Sequence, residues 1–115
     1  MSPFLLLLAA AIVILLLSRS FMRRGDVTGA EARALVEGGA RLLDVRTAAE
    51  FAAGHLPGAV NIPLQELDRR VRELGPKDAG IVVYCLSGHR SQRAHGMLVA
   101  GGFTAVHDLG AMRHW

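Results

Sequence analysis

Cys85 is the only cysteine of the 115-residue chain, and it heads the stretch Cys85-Leu86-Ser87-Gly88-His89-Arg90-Ser91. A thiol followed closely by Gly, Arg and two Ser has the parts of a nucleophile held in an anion cradle. Gly88 lets the backbone curl so that successive N–H groups converge on one point. A helix starting just after the loop would aim its N-terminal partial positive charge at the same point. Such surroundings favour a thiolate over a thiol. Arg90 adds a permanent, planar cation, Ser87 and Ser91 can donate hydroxyl hydrogens, and His89 can add charge when protonated. The bland alternative is a cysteine buried as a small hydrophobe at a strand end. That role requires none of the Gly, Arg and Ser neighbours.

The positioning elements follow from the flanking sequence. Ile81-Val82-Val83-Tyr84 is β-branched and uncharged, which reads as a strand buried on both faces that runs straight into Cys85. A loop over 85–90 and a helix over 92–100, stopped by Gly101-Gly102, complete this unit. Upstream, Thr28-Gly-Ala-Glu31 and Thr47-Ala-Ala-Glu50 have the T-x-x-E form of capping boxes. They predict helices over 29–37, stopped by Gly38-Gly39, and over a short stretch ending at Gly54. Leu42-Leu43-Asp44-Val45 and Ala59-Val60-Asn61-Ile62 read as strands. Pro63 suits a first helical position, and Leu64, Leu67, Val71 and Leu74 recur at helical spacing up to Gly75-Pro76. A last strand over 104–108 and a turn of helix over 110–115 close the chain. Strands alternating with helices predict a doubly wound, mostly parallel α/β sheet with helices on both faces. Ligands of such sheets bind beyond the carboxyl ends of the strands, where Cys85 to Ser91 would lie.

Other polar residues have structural readings first. Asp44 and Arg46, two apart at a strand end, fall on one side of the pleat and suit a salt bridge or loop brace, with Arg46 near the substrate mouth. His55, in a Gly-His-Leu-Pro-Gly turn, suits a hydrogen bond that fixes the turn. His55, His89, His95, His107 and His114 match no metal-ligand spacing, so no metal site is expected, and a thiolate nucleophile requires no metal or organic cofactor. Trp115 reads as a hydrophobic clasp over the core.

The region from about Asp26 to Trp115 resembles a single-domain rhodanese. Cys85 to Ser91 resembles that family's C-x-S-G-x-R-S active loop, and residues 42–63 (LLDVRTAAEFAAGHLPGAVNIP) resemble its upstream signature. The resemblance implies a sulfurtransferase in which Cys85 takes sulfane sulfur from a small anionic donor such as thiosulfate. It would carry the sulfur as a persulfide and pass it to cyanide or a thiol, or exchange it with a protein donor or acceptor. The amides of Leu86, Ser87, Gly88, His89, Arg90 and Ser91 would form the cradle, and Arg90 would orient the loop or the substrate. Many members place a cation directly after the cysteine, where this chain has Leu86, so thiosulfate is the less secure donor. Phosphatase and arsenate-reductase relatives have five residues between Cys and Arg rather than the four found here. A non-enzymatic binding module of this fold usually lacks the cysteine.

The first quarter of the chain is different in kind. Residues 4–17 are unbroken apolar, and Arg19, Arg23 and Arg24 follow. All 10 acidic residues lie from Asp26 onward, leaving the rest balanced in charge, so the formal +3 does not indicate nucleic-acid binding. These features predict two parts: an uncleaved membrane anchor with a basic flank over 1–25, entering the bilayer through residues 4–22, and a domain over 26–115. The arginines would place that domain on the cytoplasmic side of a single-pass anchor.

Overall fold

The computed structural model describes the backbone of residues 2–21 and 25–115 and the side chains of 2–16 and 25–115. Helix α1 (Pro3–Phe21) is 19 residues long. Its first turn is tied at Ser2, whose hydroxyl and carbonyl accept the Leu5 and Leu6 amides at 3.3 and 3.2 Å. At 1.5 Å per residue the unbroken apolar run rises only about 21 Å, against a hydrocarbon layer of about 30 Å. Among the described residues, no helix is long and apolar enough to cross a membrane. The expected single-pass anchor and the cytoplasmic placement deduced from it are therefore corrected. Met22, Arg23, Arg24 and the Arg19 side chain, on which the flank argument turned, lie outside the described residues.

From Gly25 onward the chain forms α2 (Gly29–Glu37), β1 (Arg41–Asp44), α3 (Ala48–Ala53), β2 (Val60–Asn61) and α4 (Leu64–Arg70). It continues with β3 (Ile81–Cys85), α5 (His89–Ala100) and β4 (Val106–Ala111). Short 3-10 turns over Val71–Leu74 and Met112–His114 extend α4 and close the chain. Both predicted capping boxes form: Thr28 and Thr47 accept the Glu31 and Glu50 amides at 3.1 Å, and each glutamate reaches back to its threonine amide.

The four strands are parallel and lie in the order β2-β1-β3-β4. All five residues of β3 are buried, and they alternate between two cores. Ile81, Val83 and Cys85 join Leu64, Leu67, Leu74, Ala94 and Leu98 from α4, the 3-10 turn after it and α5. Val82 and Tyr84 join Ala32 of α2 and Leu109 of β4, with Trp115 packed against them. Each large apolar side chain so buried contributes about 1.5–3 kcal/mol, which makes β3 the spine of the domain. The expected clasp at Trp115 is present, with the Arg33 guanidinium 6.0 Å above its ring and hydrogen-bonded to the Trp115 carbonyl.

The end of β4 differs from the sequence expectation. Val83 pairs with Asp108 and Tyr84 with Gly110, so Leu109 is an extra residue, a bulge that keeps the strand going to Ala111. Gly110, at φ +82°, supplies the backbone conformation that the bulge needs, and its N–H donates to the Asp108 carboxylate at 2.8 Å. The predicted helical turn from 110 is thereby reduced to Met112–His114.

Candidate active site

Because the strands are parallel, β1, β2 and β3 end on one edge, which brings the 44–46, 61 and 85–91 segments together. Asn61 ties that edge, its Nδ2 donating to the Asp44 and Arg46 carbonyls at 2.9 Å each.

Cys85 is the last residue of β3 and is fully buried. The chain reverses at Gly88, whose φ of +99° is open to glycine and strained for other residues, and α5 starts at once with His89. His89 and Arg90, expected in the loop, are therefore the first turn of the helix. The consequence is geometric. The Gly88 N–H donates to Cys85 Sγ at 3.0 Å and the Ser91 N–H, a first-turn amide with no intrahelical partner, at 3.4 Å. The Ser91 hydroxyl donates to the Gly88 carbonyl at 3.1 Å, fixing the turn that aims the first of these amides. Ser91 is fully buried, whereas Leu86, Ser87 and His89 are exposed, Leu86 by 58%.

Arg90 turns to α3. Its Nη1 and Nη2 lie 2.7 and 3.1 Å from the two carboxylate oxygens of Glu50, a forked pair between residues 40 apart. The Arg90 guanidinium and the Thr47 cap hold the Glu50 carboxyl down at about 2. Arg90 is itself raised by Glu50, and the electrostatics of Cys85 act on it in the same sense. The sequence marks Glu50 as a helix cap and as part of the 42–63 signature, with no link to the Cys85 loop. The signal for its second role is weak, since nothing local links α3 to the start of α5.

Asp44 and Arg46 form the expected pair, fully inside. Arg46 Nε lies 3.1 and 3.0 Å from the Asp44 oxygens, its Nη2 lies 2.7 Å from Oδ2, and the Arg46 amide donates to Oδ1 at 2.8 Å. The remaining reach of Nη2 holds the Gly54 carbonyl at 2.7 Å, so this arginine braces the loop between α3 and β2. Its guanidinium also lies 5.9 Å from the Tyr84 ring centre. Tyr84 supports the same loop, its hydroxyl accepting the Leu56 N–H at 3.1 Å, and burial pushes its phenol up to about 12. His55 stacks on Phe51 at 3.7 Å, with Nδ1 2.9 Å from the Phe51 carbonyl, as a turn-fixing residue should.

On the other flank of the loop, Asp108 is buried beside Ser91. Burial raises its carboxyl above the ordinary range, opposed by the neighbouring Ser91 side chain and by the hydrogen bond from the Gly110 amide. Among the described residues, no group of three or more His, Cys, Asp and Glu is arranged to hold a metal ion. What the site can do chemically is stabilise negative charge on one sulfur with backbone N–H groups that are already in place.

Residues 28–115 match the rhodanese-like domain model. The chain is 41% identical over 68 residues to a sulfurtransferase of Allochromatium vinosum, covering 59% of this chain and 63% of that protein. It is 35% identical over 96 residues to the human thiosulfate:glutathione sulfurtransferase, covering 70% of this chain and 83% of that one. Among solved structures, the human single-domain sulfurtransferase TSTD1 superposes with a TM-score of 0.67 at 33% identity, over 77% of this chain and 92% of that one. The chain spans 40 to 63% of the length of three of its curated relatives. A family match over most of the chain, a parallel α/β sheet and a cysteine-headed loop at its edge lead to one conclusion: the chain belongs to the rhodanese-like family.

Proposed function

We propose that the protein is a sulfurtransferase that carries sulfane sulfur as a Cys85 persulfide. The observation that carries this reading is the pair of N–H donors, from Gly88 and Ser91, directed at a cysteine sulfur where β3 meets α5. The family's sulfurtransferase relatives support it.

In the first half-reaction the Cys85 thiolate attacks the terminal sulfur of thiosulfate. A bond forms between the two sulfurs, the donor S–S bond breaks, and sulfite leaves with its electron pair. The negative charge now sits on the outer sulfur of the persulfide, and backbone donors at the loop stabilise it without reorganising. In the second half-reaction cyanide or a thiolate attacks that outer sulfur. Thiocyanate or a new persulfide departs, and the Cys85 thiolate is restored. Sulfur is transferred with no external oxidant or reductant.

The test is intact-mass spectrometry of the full chain mixed with thiosulfate, beside the Cys85→Ser variant. The expected result is a gain of one sulfur atom, reversed by cyanide and absent from the variant. A gain that survives Cys85→Ser would sink the reading. Loading without catalytic turnover by cyanide or small thiols would instead identify a sulfur carrier that delivers to a protein partner.

A further inference from the structure

The mouth of the loop holds two guanidinium groups close enough to influence one another, and each already engages a carboxylate. Arg46 is locked inside by Asp44. Arg90 is accessible, with a side chain 31% exposed, but its fork is closed on Glu50. Glu50 is no casual partner. As third residue of its capping box it accepts the Thr47 N–H at 3.2 Å and the Thr47 hydroxyl at 3.1 Å, so its carboxylate is aimed before Arg90 arrives. Two parallel N–H···O bonds are also what the sulfonate end of thiosulfate would require of Arg90. Of the exposed loop side chains Leu86, Ser87 and His89, Leu86 directly follows the nucleophile and offers contact to an apolar group and none to a dianion.

From this arrangement we infer that Glu50 is a specificity-setting positioning residue: by occupying the Arg90 fork it competes with dianionic donors and tunes Cys85 toward alkyl persulfides whose uncharged tail lies against Leu86. The inference rests on the Cys85 sulfur-transfer reading and names the donor class for it. With such a donor, R–S–SH, the Cys85 thiolate bonds to the terminal sulfur, the donor S–S bond breaks, and the inner sulfur leaves with the electron pair as R–S⁻. The outer hydrogen stays on the transferred sulfur, so atoms and charge balance.

The experiment compares thiosulfate with 2-hydroxyethyl persulfide as donors to the full chain and to Glu50→Gln, with thiocyanate formation as readout. Glutamine retains the capping box and a hydrogen bond to Arg90 but removes the competing charge. Glu50→Gln should lower KM for thiosulfate about five- to tenfold while kcat changes less than about twofold, as expected when the bound donor is held equally more tightly in the ground and transition states. Both constants for the alkyl persulfide should stay within about twofold, and sulfate should become an inhibitor about five- to tenfold stronger. The unaltered protein should also favour the alkyl persulfide in kcat/KM, a measurement that holds even if the variant does not fold. Parallel changes for both donors, an unchanged KM for thiosulfate, or a thiosulfate preference in the unaltered protein would overturn the inference and leave sulfur transfer standing. Failure of both donors to load Cys85 would overturn the two together.

Discussion

Asp44–Arg46 and Glu50–Arg90 are both forked ion pairs at one edge of the sheet, yet their settings differ. The first joins residues two apart and is 0% and 6% exposed; the second joins residues 40 apart and is 31% exposed on both sides. Burial decides what each can do. A charge deep in the domain cannot be released without leaving its partner desolvated, so the inner pair behaves as a fixed strut. Water screens the outer pair and can replace either partner, so that pair is open to competition from an incoming anion.

The comparison is broken most directly at the inner pair. Asp44→Ala should cost about 3–5 kcal/mol, because Arg46 is left buried with its charge uncompensated. Urea unfolding measures this, and a loss below about 1 kcal/mol would remove the distinction between the pairs. Replacing both partners, as in Asp44→Leu with Arg46→Met, should recover at least about half of that loss, since two apolar side chains leave no stranded charge. The Arg46 amide and the Gly54 carbonyl, which lose their partners in the double variant, account for the rest.

At the outer pair, Glu50→Ala should cost only about 1 kcal/mol, combining a weakened helix cap with a screened ion pair. The same unfolding assay would sharpen the contrast. The smallest effect is on pH dependence. The folded Glu50 carboxyl is held at about 2, below its ordinary 4.5, so its contribution to stability is complete above that ordinary value. It is lost as pH falls from 4.5 toward 2. The stability difference between the parent and Glu50→Gln should therefore be constant from neutrality to about pH 5 and shrink below it. A difference that grew in acid would contradict the assigned sign.

Local chemistry made much of the architecture legible. The two T-x-x-E boxes set the starts of α2 and α3, and the uncharged run before Cys85 is the doubly buried strand it predicts. Asp44 and Arg46 were readable as a pair because they are two apart in a strand. Misreadings arose where tertiary context chose between local options. Gly88 looked like the middle of a loop, but its positive φ makes it the first residue before α5. Gly110 looked like a helix start, yet the ladder with β3 carries it into a bulge. Glu50 meets Arg90 only because α3 and α5 both border the same sheet edge, a fact with no trace in either segment alone. The apolar leader reads as an anchor from its basic flank and from a length counted on through Met22, whereas among the described residues no helix is long and apolar enough to cross a membrane.

The position of Tyr84 gives the molecule a built-in optical probe. The chain has one tyrosine, next to Cys85 and on the opposite face of the same strand. Its hydroxyl accepts the Leu56 N–H of the braced loop, and burial pushes its phenol up to about 12. The near-ultraviolet phenolate band therefore belongs to a single known ring. Around pH 11, between the ordinary phenol value and the raised one, that band stays weak while the ring is buried and strengthens once the ring meets water, a readout that needs no attached dye.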